Sequence, residues 1–238
     1  MEYVCIVTAR HWLLTLLALD LLFIVVSLAR PSVSALASPM FELTEDGGYS
    51  EFYQYAKWAG IAALMFVAAH PRHGRGFVVW GLFALFLLAD DALQIHERVG
   101  DWVNVWQTFT PPFNLRREDV GELASSLVAG LGFLALLVRA YRVANEHFRL
   151  ATHDFAVLVG MLAIVGVGID MAHVALDPGP TWNTALTVLE DGGEMIVASV
   201  MCWYAGVVMR VGAVTSLTRP AQLTRLRPAL KDVLGRAA

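Results

Sequence analysis

The residues best suited to chemistry are carboxylates and imidazoles that interrupt apolar segments of the chain. Three stretches hold them: "LADDALQIHE", "GIDMAH" and "VLEDGGEM". Zinc, manganese and iron accept carboxylate oxygens together with imidazole nitrogens, whereas an all-oxygen set favours calcium or magnesium. The sequence therefore predicts a site for a divalent zinc, manganese or iron ion. The predicted ligands are Asp90, His96, Glu97, Asp170, His173, Glu190 and Glu194.

Helical spacing puts part of this set on one face of the third apolar segment. Asp90, Gln94 and Glu97 are four and three residues apart, which places them on a single stripe if the helix is continuous. Asp91 and His96 then point to other faces. We therefore expect this helix to supply only some of its polar side chains to a common site.

Two further pairs have helical spacing. Asp170 and His173 are three apart, and Glu190 and Glu194 are four apart. The Asp-x-x-His pair is similar to half of the di-metal carboxylate site of helical bundles. The second acid-x-x-His is absent because residue 93 is leucine, which favours a single metal ion or an incomplete analogy.

The composition predicts a polytopic membrane protein of the all-α class. Of the 238 residues, 57% are hydrophobic and 16% are charged, and the mean hydropathy is +0.58. Soluble domains carry about a quarter charged residues. Apolar runs long enough to cross the bilayer are separated by short turn segments, which predicts an antiparallel helical bundle. The six predicted spans are Trp12–Ala29, Phe52–Ala69, Phe77–His96, Leu123–Tyr141, Phe155–Leu176 and Ala185–Val211.

The basic residues predict the orientation and location. Arginines are concentrated in the N-terminus, in alternate loops and in the C-terminal tail. By the positive-inside rule this predicts a multi-pass protein of the inner (plasma) membrane with both termini cytoplasmic. Residues 1–212 are predicted to form the transmembrane bundle and residues 213–238 a basic amphipathic tail. We expect that basic amphipathic tail to bind anionic inner-leaflet lipids. It is too short and too apolar for a nucleic-acid surface.

Counter-charge is scarce near the predicted site. A carboxylate in hydrocarbon costs at least about 2.5 kcal/mol on insertion scales, and the cations nearby in sequence are Arg30, Lys57 and Arg98. Either several acids are protonated or a bound cation neutralises them. Asp20 lies deepest and has no evident partner in the sequence; it either hydrogen-bonds within the bundle or relays a proton or ion.

A short acidic motif recurs at nearly equal intervals. "EDGG" begins at Glu45, "EDVGE" at Glu118 and "EDGGE" at Glu190. Each copy is predicted to open an even-numbered helix, which would make the bundle three repeated helical hairpins. The alternative explanation is capping, because acids at helix N-termini are favoured by about 0.3–1 kcal/mol each.

The pairing of "LADDALQIHE" with "VLEDGGEM" resembles an uncharacterised group of bacterial and archaeal multi-span membrane proteins. Their patterns are D-[DE]-x4-H-E and E-[DE]-x2-E. In this chain aspartates at 91 and 191 stand where glutamate is usual. The resemblance adds weight to these positions and assigns them no role.

Three functions remain open at the sequence level. The first is a membrane protein with a metal site, either with or without enzymatic activity on a lipid-soluble substrate. The second is a cation- or proton-coupled transporter, and the third is a structural or assembly subunit. The chain contains no P-loop, HExxH, GxSxG or dinucleotide fingerprint.

Overall fold

The chain folds into α-helices, as the sequence predicts, and the longest connection, residues 30–48, contains three short 3-10 helices. The computed structural model describes residues 2–69, 74–176 and 179–210; the predicted tail, 213–238, lies outside them. A π-helix, Ile164–Ile169, joins α6 to α7. The helices are α1 Glu2–Ala29, α2 Tyr49–Ala68, α3 Phe77–Leu93, α4 Ile95–Trp106, α5 Arg117–Val143, α6 Glu146–Ala163, α7 Asp170–Leu176 and α8 Pro180–Arg210.

Four segments in the described part of the chain are long and apolar enough to cross a membrane. They are Arg10–Ser32, Arg117–Val143, Glu146–Leu176 and Trp182–Met209. Helices α3 and α4 meet the same criterion only as a pair, which is bent by 56°. The structure thus gives four or five candidate spans rather than the six predicted, and α2 is the segment that does not qualify. Its 20 residues include polar and charged side chains that are buried.

The third predicted span is shorter than expected. Helix α3 ends at Leu93, Gln94 adopts a left-handed conformation (φ 51°, ψ 47°), and α4 begins at Ile95. The backbone N–H of His96 donates to Asp90 Oδ1 at 3.1 Å, so an aspartate of α3 caps the new helix. The predicted stripe of Asp90, Gln94 and Glu97 is therefore wrong, because these residues lie on two helices and the turn between them.

Helix α8 is the centre of the bundle. It packs against α1, α2, α6 and the π-helix, and its buried side chains include Ala198, Met201, Tyr204 and Ala205. The helix begins at Pro180, and a proline fits the first helical position because no intrahelical N–H bond is needed there. The start predicted from sequence, Ala185, was five residues too late.

A buried ion pair joins three helices. Lys57 Nζ of α2 lies 3.0 Å from Asp20 Oδ1 of α1, and the two side chains are 2% and 0% exposed. Lys57 also donates to the Met195 carbonyl at 2.8 Å and to Ser199 Oγ at 3.4 Å on α8. The ammonium lies 4.4 Å from the centre of the Tyr53 ring. Asp20 thus has a partner that its place in the sequence did not reveal.

A second set of buried polar contacts fixes α6. Tyr204 of α8 donates to Asp154 Oδ2 at 2.6 Å, and Trp80 of α3 donates to Thr152 Oγ1 at 3.1 Å. These bonds define how α3, α6 and α8 pack around the core aromatic residues.

We expect Lys57→Met to lower the free energy of unfolding in detergent by about 3–5 kcal/mol, because it leaves the Asp20 carboxylate buried without counter-charge. The double variant Asp20→Asn/Lys57→Met should be more stable than Lys57→Met, since it removes both charges. The matched control is Arg30→Met, which breaks the half-buried Arg30–Glu42 pair and should cost about 0–1 kcal/mol. Equal losses for Lys57→Met and Arg30→Met would contradict the structural role of the ion pair.

Candidate functional site

The predicted ligands lie within one group of polar side chains contributed by five helices. This acidic cluster is formed by residues of α3, α4, α5, α7 and α8. Some are linked by side-chain contacts of 4.0 Å or less, and the others by interactions between their charges. Its members are Asp90, Asp91, His96, Glu97, Glu122, Asp170, His173, Glu190, Asp191 and Glu194.

The bend between α3 and α4 brings the first imidazole onto its carboxylate. His96 Nδ1 lies 3.1 Å from Asp90 Oδ2, and His96 Nε2 lies 4.0 Å from Glu97 Oε1. Gln94, the residue at the bend, donates to Asp46 Oδ2 at 2.8 Å. A continuous helix would have held His96 away from Asp90, so the left-handed residue creates this pair.

Asp91 is attached to α2. Trp58 donates from Nε1 to Asp91 Oδ2 at 2.8 Å, and the Tyr55 hydroxyl donates to Glu51 and lies 3.4 Å from the Asp91 carbonyl. One oxygen of Asp91 is thus committed to holding α3 against α2.

The π-helix makes room for Glu194. A methyl group added at Gly166 would overlap the Glu194 carboxylate, so any larger residue where α8 passes the π-helix forces the Glu194 side chain to move. Short π segments occur often at functional sites. Among the described residues, Glu194 forms no hydrogen bond or ion pair. Its charge interacts with those of His96, Asp91 and Glu190.

The second imidazole belongs to α7. His173 Nδ1 lies 3.7 Å from Glu190 Oε2. The Asp170 charge interacts with those of both His173 and His96.

The position of Glu190 and Asp191 in α8 overturns one sequence-based explanation. The helix begins at Pro180, so Glu190 is ten residues inside it, about 15 Å from its end. A helix dipole acts within the first turn. It therefore does not explain these two acids, and the third motif copy does not open a helix.

Helix α5 contributes a residue that was not predicted as a ligand. A methyl group at Gly100 of α4 would lie 2.9 Å from Glu122 Cγ and 3.0 Å from its Oε1. The Glu122 charge interacts with those of His96 and Asp170. The motif recurrence contained the signal, because Glu122 ends "EDVGE" as Glu194 ends "EDGGE".

The second and third motif copies share a packing feature. The last glutamate of each lies against a glycine of a neighbouring helical segment: Glu122 against Gly100, and Glu194 against Gly166. The first copy, 45–48, precedes α2 and is not helical. The three copies are thus placed differently, and only two are alike in their contacts.

Arg116 neutralises the start of α5 rather than the acidic cluster. It donates from its guanidinium to Asp119 at 2.7 and 3.1 Å and pairs with Glu118 at 2.5 Å. These hydrogen bonds to Asp119 raise the pKa of Arg116 above its usual value. Asp119 is buried, and it also accepts the Arg116 backbone N–H, so it caps the start of α5.

The acidic cluster contains imidazole–carboxylate pairs rather than a preformed ligand set. Within residues 2–69, 74–176 and 179–210, no group of three or more His, Cys, Asp or Glu side chains is arranged to hold a metal ion. The site residues predicted from sequence lie in two such pairs, Asp90–His96 and His173–Glu190, and next to them.

Comparison with known proteins assigns the chain to a family. The family described as "Domain of unknown function (DUF8692)" matches residues 13–209, and the chain belongs to it. No curated protein and no solved structure matches the chain. The matched range contains the whole acidic cluster.

We expect Gly166→Ala to lower the midpoint of thermal unfolding, because the new methyl group displaces the Glu194 carboxylate. Gly160→Ala is the matched control: it lies in α6, has open space around the added atom, and should be neutral or stabilising by up to about 1 kcal/mol. Adding Glu194→Ala to Gly166→Ala should recover most of the loss. If it does not, Glu194 is not the group that Gly166 accommodates.

Proposed function

We propose that this member of the DUF8692 family is a multi-pass membrane protein whose acidic cluster binds one divalent cation. The observation that carries the proposal is Glu194, a carboxylate without a hydrogen bond or ion pair in the described part of the chain. Its charge interacts with those of further acids and of the His96 imidazole. Mixed oxygen and nitrogen donors favour zinc, manganese or iron.

The two imidazole–carboxylate pairs support this proposal. A metal-binding histidine commonly donates its second ring N–H to a carboxylate, which orients the ring and raises its basicity. Nδ1 of His96 faces Asp90 and Nδ1 of His173 faces Glu190. We therefore assign Nε2 of each ring to the cation, with Asp90 and Glu190 as orienting groups.

The remaining ligands are carboxylates that interact with one or both rings. Asp170 interacts with both imidazoles, Glu194 with His96, and Glu97 lies 4.0 Å from His96 Nε2. Because no three of these groups converge in the described residues, binding requires side-chain rotation. Such rotation draws like charges together, which is favourable only if a cation is bound between them.

The balance of charge supports a cation as well. Lys57 is paired with Asp20, Arg30 with Glu42, and Arg116 with Glu118 and Asp119. These cations are already engaged, and Arg98 forms no ion pair with an acid in the described residues, so the acidic cluster requires protons or a metal ion for neutrality.

Six membrane crossings are the topology that we propose. Helix α2 has 20 residues, about 30 Å, which suffices for a crossing. Its polar residues face protein rather than lipid, since Gln54 and Lys57 are buried. The distribution of arginines supports cytoplasmic termini in the inner (plasma) membrane. The matching contacts of Glu122 and Glu194 support descent of at least two hairpins from one ancestor.

If the protein is an enzyme, the metal would activate water or oxygen against a lipid-soluble substrate. A carboxylate of the acidic cluster that is not a ligand would then act as the base.

Transport of a cation or proton is the second candidate function. It is favoured by the link between the acidic cluster and the buried ion pair, since the Glu194 and Lys57 charges interact. The acidic cluster and the Asp20–Lys57 pair together form a series of ionisable groups that reaches the middle of the bundle. Ionisable residues in such positions commonly mark ion pathways.

Elemental analysis of the purified protein should find about one zinc, manganese or iron per chain. His173→Ala and Glu194→Gln should each abolish stoichiometric metal, and Asp90→Asn should weaken binding about 10-fold or more by releasing the His96 ring. Glu146→Gln, an exposed acid at the start of α6, is the control and should retain the metal. Absence of metal from the wild type, unchanged in all variants, would reject the proposal.

Ion flux in proteoliposomes separates the two functions. If the protein is a metal-site protein without transport activity, neither wild type nor Asp20→Asn should move cations or protons across the membrane, and both should bind metal. Flux by the wild type that Asp20→Asn abolishes, with metal binding intact, would establish transport instead.

A further inference from the structure

Helix α4 carries an exposed apolar face. Trp102, Val105 and Trp106 follow one another at helical spacing and are 57%, 73% and 68% exposed. Side chains of this size and composition are rarely left together in water. The face therefore requires a partner or an apolar environment.

The opposite face of α4 is packed against α5. A methyl group at Gly121 would lie 2.7 Å from Gly100 Cα and 3.0 Å from Val103 side-chain atoms, so the two helices approach closely. Asn104 donates to Glu118 at 3.1 Å. The tryptophan face thus points away from the bundle.

The exposed face continues into the surface of a candidate membrane span. Phe109 and Phe113, in the loop after α4, are also exposed, and α5 then presents Leu123 and Leu127 outward. The charged residues 116–119 mark the start of α5. The tryptophans of α4 therefore lie at the level where the apolar span ends, which is where tryptophan is enriched at membrane surfaces.

Arg98 adds a cation to this face. It precedes Trp102 by four residues, so the two side chains are neighbours on one side of α4. It is exposed, and in the described part of the chain its guanidinium forms no hydrogen bond or ion pair despite the many acids nearby. A guanidinium beside tryptophans suits a phosphate group above an apolar layer.

We propose that α4 lies in the interfacial layer of the bilayer, with its tryptophans among the lipid acyl chains and Arg98 on a phospholipid phosphate. Its 12 residues span about 18 Å, too short to cross about 30 Å of hydrocarbon. An amphipathic helix of this kind buries its apolar face at the headgroup boundary. The opposite side of the same helix contributes to the acidic cluster, so the lipid surface positions His96 and Glu97.

Fluorescence quenching in phosphatidylcholine vesicles tests the proposal, which is independent of metal binding. The signal of the two residues is the difference between wild type and Trp102→Phe/Trp106→Phe. Lipids brominated near the headgroup end of the acyl chain should quench this difference signal more than lipids brominated at the chain terminus. The water-soluble quencher acrylamide should have little effect. Trp80→Phe removes a buried tryptophan and is the control; its difference signal should respond weakly to every quencher.

Strong quenching by acrylamide together with none by brominated lipid would place the face in water and overturn the proposal. Insensitivity to both quenchers would indicate coverage by protein, such as a second copy of the chain, and would overturn it as well. If the double variant does not fold, a nitroxide label can be attached to a Val105→Cys variant. The collision of this nitroxide with oxygen, which concentrates in lipid, is then compared with its collision with a water-soluble nickel chelate. Arg98→Gln should shift that nitroxide toward water, and Arg98→Lys should shift it less.

Discussion

The buried contact between Lys57 and Asp20 is the interaction on which the rest of the bundle depends. It joins α1, α2 and α8, and its three acceptors on two helices fix the depth and rotation of α2. Removing two charges from water is costly, and the cost is recovered only with good geometry and further hydrogen bonds. Because α8 is held in this way, Glu190 faces α7 and Glu194 faces the π-helix.

Two interruptions of regular helix shape the acidic cluster. The left-handed Gln94 turns His96 back onto Asp90, and the π-helix presents Gly166 to the Glu194 carboxylate. In each case a polar side chain occupies the space that the irregular backbone creates. A glycine also lies against a carboxylate side chain between α4 and α5, where Gly100 accommodates Glu122.

The sequence predicted the helical class, because apolar runs and turn residues are local signals. It also predicted which three stretches contribute to the acidic cluster. It did not predict the end of α3 at Leu93, since the cap of α4 comes from Asp90, six residues before His96. It did not pair Asp20 with Lys57, because the pairing joins residues far apart in the chain. Glu122 is not among the predicted ligands, although the motif that it ends, "EDVGE", matches the motif "EDGGE" that ends in Glu194.

The central claim is that imidazole and carboxylate groups of the acidic cluster bind one divalent cation. X-ray absorption at the metal edge, measured on purified protein in lipid, tests this claim most directly. We expect about one metal ion per chain with two imidazole nitrogens among mixed nitrogen and oxygen ligands, and loss of the metal in Glu194→Gln. A spectrum without imidazole scattering, or protein without stoichiometric metal, would contradict it.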